Sequence, residues 1–255
     1  MIYNGEWSSP KVVMYCQIGQ SVDMAKFSIK YAIERSGLPD EDVDIVFICW
    51  KTSTEAYDWL KQNNFKFINM DIDPENDNFL YNLYGGWNLG YEIGFLYADF
   101  VCPIATDHCF YDNWLKNLLK HGKENRIVNC KLIESGVTES LHTIGRFGAT
   151  IEGEFELDKF NALGKAIVNH YGDRLVMSKH EYERGVRLDA MPFLCPRDVW
   201  ERFGPMNRGL DEFNITGDTN FFNRCEAGGV EITKALDAIS YHFGGGEQRM
   251  EKKDI

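Results

Sequence analysis

The sequence predicts an α/β protein with a mostly parallel central sheet flanked by helices. Apolar runs of strand length alternate with helical patterns through the first half of the chain, and this order is typical of parallel strands covered by helices. Of the 255 residues, 44% are hydrophobic and 26% are charged, which is enough for one substantial core. No internal repeat or linker-like segment divides the chain, so we expect residues 1–255 to form a single domain.

The first half supplies four strands and four helices. The apolar runs at 11–17, 44–50, 65–70 and 100–105 are short enough to be buried parallel strands. Helical patterns follow them at 23–36, about 52–62, 79–94 and 111–121. The second helix starts with Thr-Ser-Thr-Glu, which offers capping hydroxyls and an acid in the first turn. Because ligands bind beyond the carboxyl ends of parallel strands, residues that follow these runs are the first candidates for a site.

The second half is less regular. Strands are predicted at 126–133, 190–195 and 230–236, and helices at 157–171, 196–203 and 218–227. Pro196 suits the first turn of its helix, and the two glycines at 228–229 suit the end of the last helix. The segment 134–156 carries no pattern that assigns it to a helix or a strand.

Charge and cysteine content narrow the classes of function. The net charge of −12 argues against a protein that grips duplex nucleic acid through its phosphates. The seven cysteines form no CxxC pair, so we expect buried thiols in a reducing compartment rather than a zinc or redox motif. The N-terminus lacks a signal-peptide pattern and no run approaches the ~18 apolar residues of a membrane span. We therefore expect no transmembrane segment and a cytoplasmic location.

Asp107 directly follows the apolar run 100–105, at the edge of the sheet where ligands bind. A carboxylate there can hold a divalent cation, which would bridge the two phosphates of a nucleotide sugar and neutralise the departing diphosphate. The same residue could instead cap the next helix, and local sequence alone favours the cap.

Asp218 and His242 also have two interpretations each. Asp218 opens a predicted helix, where an acid ordinarily serves as a cap. His242 follows a predicted strand and precedes three glycines at 244–246, which would let the backbone approach a ligand closely. A lone histidine, however, is more often packed or solvated than a ligand.

Two separated blocks of the sequence carry motifs in a definite order and spacing. In the first, an Asn/Gly-bearing helix that includes Asn88 leads to a strand ending at Asp107, and a Trp-Leu helix follows. The second block is more specific: Phe-Gly-Pro at 203–205, Gly-Leu-Asp-Glu-Phe at 209–213, Gly-Asp at 217–218, Arg at 224 and Ala-Gly at 227–228, and then the histidine at 242. The order and spacing of these two blocks resemble those of the family 2 glycosyltransferases, and the resemblance covers roughly residues 10–245.

This resemblance implies a GT-A (Rossmann-like) fold, a nucleotide-sugar donor, a Mn²⁺ or Mg²⁺ ion, and inversion at the anomeric carbon. It divides the domain into a nucleotide-sugar half at about 10–108 and an acceptor half at about 109–246. The acceptor would be a glycan, a lipid-linked glycan or another hydroxyl compound, and the acidic charge disfavours nucleic acid.

The resemblance also implies roles for single residues. Asp107 matches the acid that binds the metal and donor, and His242 matches a position that can complete metal or diphosphate binding. Asp218 matches the general base that acts on the acceptor hydroxyl. Asp211 and Glu212 are the alternative bases, although their place in the preceding turn suggests a structural role.

Four more residues are candidates for donor binding. Gln17 and Gln20 lie at the end of the first strand and in the loop after it, where the family usually meets the nucleotide. Trp50 follows the second strand and could stack on a base, although a packed tryptophan is the commoner case. Asn88 lies on the helix that leads to the metal motif.

The sequence departs from the family pattern at three places. His108 stands where the metal motif usually has a second acid, Gly217 replaces the acid before Asp218, and Trp-Lys at 50–51 replaces an acid after the second strand. The alternative functions are therefore a nucleotidyltransferase and an inactive carbohydrate- or nucleotide-binding module. The loop 18–23 contains none of the basic residues that a nucleotidyltransferase would favour.

Overall fold

A computed structural model describes residues 2–3, 9–70, 78–135, 143–148, 155–178, 180–181, 186–187 and 191–244. The strands are β1 Ile2–Tyr3, β2 Val12–Ile18, β3 Val43–Cys49, β4 Lys66–Asn69, β5 Phe100–Ile104, β6 His108–Phe110, β7 Arg126–Glu134, β8 Thr143–Ile144, β9 Leu175–Met177, β10 His180–Glu181, β11 Val186–Arg187, β12 Phe193–Pro196 and β13 Glu231–His242. The helices are α1 Val22–Glu34, α2 Thr54–Gln62, α3 Phe79–Gly94, α4 Trp114–His121, α5 Leu157–Tyr171, α6 Arg197–Phe203 and α7 Gly217–Ala227, with a 3-10 turn at Asp40–Asp42.

One large sheet runs through the molecule in the order β1-β4-β3-β2-β5-β12-β7-β13-β6. Strands β4, β3, β2 and β5 are parallel to one another, as are β7 and β13. Strand β12 joins these two groups through antiparallel pairing on both sides, and β6 closes the far edge antiparallel to β13. This mixed, largely parallel sheet confirms the predicted α/β class.

Helices cover both faces of the sheet, as the alternation of side chains along β2 shows. Val12 and Met14 belong to one buried cluster with apolar residues of α1, α2 and α4. Val13 and Tyr15 belong to a second cluster with residues of α3, α6 and α7. Successive residues of a strand point to opposite faces, so the continuous apolar run of β2 follows from burial on both sides.

The sequence predictions differ from the structure mainly near the far edge of the sheet. Strand β6 was not predicted, and the helix expected at 111–121 begins only at Trp114. Strand β13, predicted at 230–236, continues to His242 past an irregularity between Ala235 and Ile239. A three-residue strand is too short to show a period, and an irregular segment interrupts the pattern of β13.

Two expectations from the sequence concern membrane-spanning segments and the cysteines. None of these helices combines the length and the apolar character that crossing a bilayer requires. All seven cysteines are buried free thiols, as predicted. Burial keeps a thiol inert, since reactivity depends on an accessible thiolate.

Helix α3 approaches β2 closely because glycines face the strand. A Cβ atom added at Gly90 would lie 2.5 Å from the ring of Tyr15, which is itself fully buried. We expect Gly90→Ala to destabilise the protein by about 1–3 kcal/mol through overpacking, offset in part by the roughly 1 kcal/mol that Ala gains over Gly in a helix. Urea unfolding measures this, with Glu92→Ala on the exposed side of α3 as a control. An unfolding midpoint for Gly90→Ala at or above that of the control would contradict the prediction.

Candidate active site

The candidate site lies at the carboxyl ends of β7 and β13, beside the start of β6. Asp107 follows β5 and immediately precedes β6, whose first residue is His108. In the sheet register His242 is the partner of both His108 on β6 and Glu134 on β7. Directly opposed residues project to the same face of a sheet, so strand pairing places these side chains side by side.

Hydrogen bonds join the side chains of this row into one cluster. The Nε2 atom of His242 lies 3.0 Å from Oδ2 of Asp107, and its Nδ1 atom lies 2.9 Å from Oε2 of Glu134. The ring of His108 stacks on that of His242, with centroids 4.9 Å apart and planes inclined by 26°. The cluster is also tied through the backbone, because the amide of Phe243 donates to the carbonyl of Asp107.

The two histidines differ in charge although their rings touch. Burial acts to lower the pKa of His242, but Asp107 and Glu134 outweigh it and raise the pKa to about 10. Burial, and next the charge of His242, lowers the pKa of His108 to about 4. At neutral pH His242 is therefore an imidazolium between two carboxylates, and His108 is a neutral imidazole. Buried carboxylates need such a compensating cation.

The donor set of the cluster fits a divalent metal ion. Asp107, His108 and His242 each offer one ligand atom, and these atoms lie within 4.8 Å of one another. The Nε2 atom of His108 lies 3.9 Å from Oδ1 of Asp107, and its Nδ1 atom is buried without a hydrogen-bond partner. Carboxylate oxygen and imidazole nitrogen are both ligands of divalent transition metals.

The structure excludes one of the two interpretations of Asp107, the helix cap. Strand β6 follows it, and the next helix, α4, has Asn113 rather than Asp107 at its N-cap. Asp107 is therefore not a helix cap, and the structure brings it together with His242, the other predicted metal ligand. The glycines at 245–246 lie outside the described residues.

Asp218 is a second positioned carboxylate, on the first turn of α7. The hydroxyl of Tyr84 and the amide of Thr219 each donate to its Oδ1 atom at 2.8 Å. Burial, and then the charge of Asp218, raises the pKa of the Tyr84 phenol, so this phenol stays protonated and keeps donating. Both bonds go to one oxygen, so Tyr84 and the first turn of α7 together fix the orientation of this carboxylate.

The structure explains why glycine precedes Asp218 where the family pattern has an acid. A Cβ atom at Gly217 would lie 2.3 Å from the carbonyl oxygen of Asn207 and 2.9 Å from the ring of Tyr84. Any larger residue would displace the phenol that holds Asp218. Glycine at position 217 thus leaves room for Tyr84, which positions the carboxylate of Asp218.

The alternative bases in the preceding turn have different surroundings. Asp211 accepts hydrogen bonds from the amides of Phe213 and Ile215 and from the side chain of Asn220. Its carboxylate therefore fixes the turn, as the sequence suggested. Glu212 is exposed beside it.

The predicted donor-binding residues separate into two pairs. Gln17 donates to the carbonyl of Leu83 at 2.7 Å, and both amide ends of the buried Asn88 pair with the backbone of Met206 at 2.9 Å. The contacts of this pair position α3 and the loop before α7. Gln20 and Trp50, by contrast, follow β2 and β3 at the edge of the sheet that also carries Asp107.

Sequence reasoning missed Glu134 and Tyr84. Glu134 ends β7 at the same edge of the sheet, so the rule that identified Asp107 could have found it, had the strand been extended by one residue. Tyr84 lies in a helix rich in aromatic residues, and nothing in its local sequence marks it as the partner of a carboxylate 134 positions away.

Together, the fold and the cluster define an α/β protein with a carboxylate–imidazole site at the edge of its sheet. No protein-family model and no curated protein matches the sequence. Among solved structures, the chain is similar to the mannosyltransferase PcManGT from Pyrobaculum calidifontis, determined in complex with GDP-Man and Mn²⁺, with a TM-score of 0.58 and 10% identity. The match covers 96% of this chain but only 60% of that one. At this identity the similarity shows the fold alone.

Proposed function

We propose that this protein is a metal-assisted glycosyltransferase that uses a nucleotide-sugar donor. The observation that carries the proposal is the cluster of Asp107, His108 and His242 at the ligand-binding edge of an α/β sheet. The fold it shares with a mannosyltransferase bound to GDP-Man and Mn²⁺ supports the same class of reaction. The sequence blocks that resemble family 2 glycosyltransferases point in the same direction.

Asp107, His108 and His242 would hold the divalent cation, Mn²⁺ or Mg²⁺ in the proposed class. When bound, the ion supplies positive charge that stabilises the departing diphosphate. Glu134 would orient His242, because a carboxylate that accepts from one imidazole nitrogen directs the other nitrogen towards the metal. Protonated His242 carries the positive charge that balances the two carboxylates, and a bound cation would supply that charge in its place.

Asp218 would act as the general base. An acceptor hydroxyl is a weak nucleophile, and its proton must leave as the oxygen attacks the anomeric carbon. The carboxylate is partly exposed and is fixed by Tyr84 on the first turn of α7. Inversion at the anomeric carbon follows if this base lies opposite the leaving diphosphate.

The residues that follow β2 and β3, Gln20 and Trp50, would bind the donor. Trp50 is half-buried with its ring 5.4 Å from that of Phe79, and it would stack on a nucleotide base. Gln20 is exposed in the loop after β2. Gln17 and Asn88 would act indirectly, by holding α3. The acceptor would be a glycan or another hydroxyl compound bound by the half of the chain at about 109–246.

Thermal shifts and donor hydrolysis test the proposal together. The protein is stripped of metal and screened against nucleoside diphosphates and nucleotide sugars, GDP-Man first, with and without Mn²⁺. A ligand at 100 times its Kd should stabilise the native state by about 2.7 kcal/mol, and hydrolysis of the donor should require the metal. Binding without turnover would favour the inactive module, and binding of no nucleotide would contradict the proposal.

Replacing Glu134 with Gln tests its role in orienting His242. The variant keeps the shape of the side chain but removes the negative charge that holds the imidazole. We expect Mn²⁺ affinity to fall by about 10–100-fold, as is typical for partners of metal-binding histidines, with the fold intact by circular dichroism. Glu124→Gln, at an exposed acid just before the start of β7, is the matched control. Equal Mn²⁺ affinity in the two variants would exclude this role.

A further inference from the structure

We propose that His108 makes the metal site selective for a transition-metal ion over Mg²⁺. The inference rests on the metal site of the proposed function and specifies which ion it takes. It concerns the place where the resemblance expects a second acid and the chain has an imidazole instead.

His108 is built into the site rather than free to leave it. Its backbone pairs with that of His242 in the ladder between β6 and β13. Its ring is held between those of His242 and Phe110, at centroid distances of 4.9 and 6.1 Å. Only 3% of the residue is exposed. The imidazole is therefore a fixed part of the site that an ion would enter.

The chemistry of the available ligands sets the preference. Two imidazole nitrogens and one carboxylate suit Mn²⁺, Fe²⁺, Co²⁺ or Zn²⁺, whereas Mg²⁺ prefers oxygen ligands in a near-ideal octahedron. Glu134 is not among the residues whose ligand atoms lie within 4.8 Å of one another, and its carboxylate contacts the other ring nitrogen of His242, Nδ1. Cys109, the next residue along β6, lies in the buried core, so the cluster offers no thiolate for softer ions.

Metal binding without any nucleotide tests the proposal directly. Mn²⁺ binding to the metal-stripped full chain is measured by calorimetry and by the electron paramagnetic resonance of free Mn²⁺, with Mg²⁺ as the competitor. We expect the wild-type Kd for Mn²⁺ to be at least about tenfold below that for Mg²⁺. In His108→Asp, which supplies a second carboxylate, the ratio of the two Kd values should shift about tenfold or more towards Mg²⁺.

His108→Asn covers the case in which a buried aspartate prevents folding. It removes the imidazole without adding charge, so Mn²⁺ affinity should fall about tenfold while Mg²⁺ affinity changes little. Similar wild-type Kd values for the two ions, no binding of either ion, or an unchanged ratio in the folded variant would each overturn the proposal. A protein that binds Mn²⁺ selectively but turns over no nucleotide sugar would overturn the proposed function and leave this inference standing.

Discussion

Replacing Asp107 with Ala should abolish metal-dependent donor binding while the protein stays folded. Asp107 offers the carboxylate of the three-residue ligand set, and without it the cluster retains only imidazole ligands. Its backbone carbonyl still accepts from the amide of Phe243, so the junction between β5 and β6 is preserved. The loss leaves Nε2 of His242 without its partner, which costs about 1–3 kcal/mol of stability.

The measurement separates this effect from a general loss of structure. Nucleotide affinity is determined with and without Mn²⁺, and urea unfolding reports the stability of the same samples. Asp99→Ala is the matched control, since Asp99 precedes the opposite end of β5 and its side chain is 86% exposed. Its ion pair with Arg197 is a surface pair and contributes little. A variant that keeps wild-type Mn²⁺-dependent affinity would show that Asp107 is not a metal ligand.

Elements with a strong local pattern were predicted almost to the residue. The helix predicted at 79–94 is α3, although its sequence contains four glycines, the last of which is its final residue. These glycines are explained by close approach rather than by chain breaking: a Cβ atom at Gly86 would meet Gln17, and one at Gly94 would meet Val101. The apolar face of α3 was visible in the sequence, but the partners of its glycines were not.

The candidate site depends on pairing that no local pattern encodes. Asp107 and His242 are 135 positions apart, and their contact requires both the short strand β6 and the irregular second half of β13. Each of the two residues was a candidate because it follows a predicted strand, and ligands bind beyond the carboxyl ends of the strands in a parallel sheet. The register that places His108 and Glu134 beside His242 is a property of the folded sheet alone.

Replacing Asp218 with Asn should reduce turnover at least about 100-fold, a typical contribution of a general base, with little change in donor affinity. Asparagine has nearly the same shape, and its side-chain oxygen can still accept from Tyr84 and Thr219. It cannot accept the proton of an acceptor hydroxyl at neutral pH. The variant therefore removes the basic group and leaves the start of α7 in place.

Two further variants distinguish a base from a carboxylate that merely supports the loop. Glu212→Gln alters the exposed acid of the preceding turn and should leave turnover unchanged. Tyr84→Phe removes one hydrogen bond to Asp218 and should lower turnover less than Asp218→Asn, since the base remains but is less well held. Product stereochemistry completes the test, because a base opposite the leaving group requires inversion. Near-normal turnover in Asp218→Asn, or a product that retains the configuration of the donor, would exclude the mechanism.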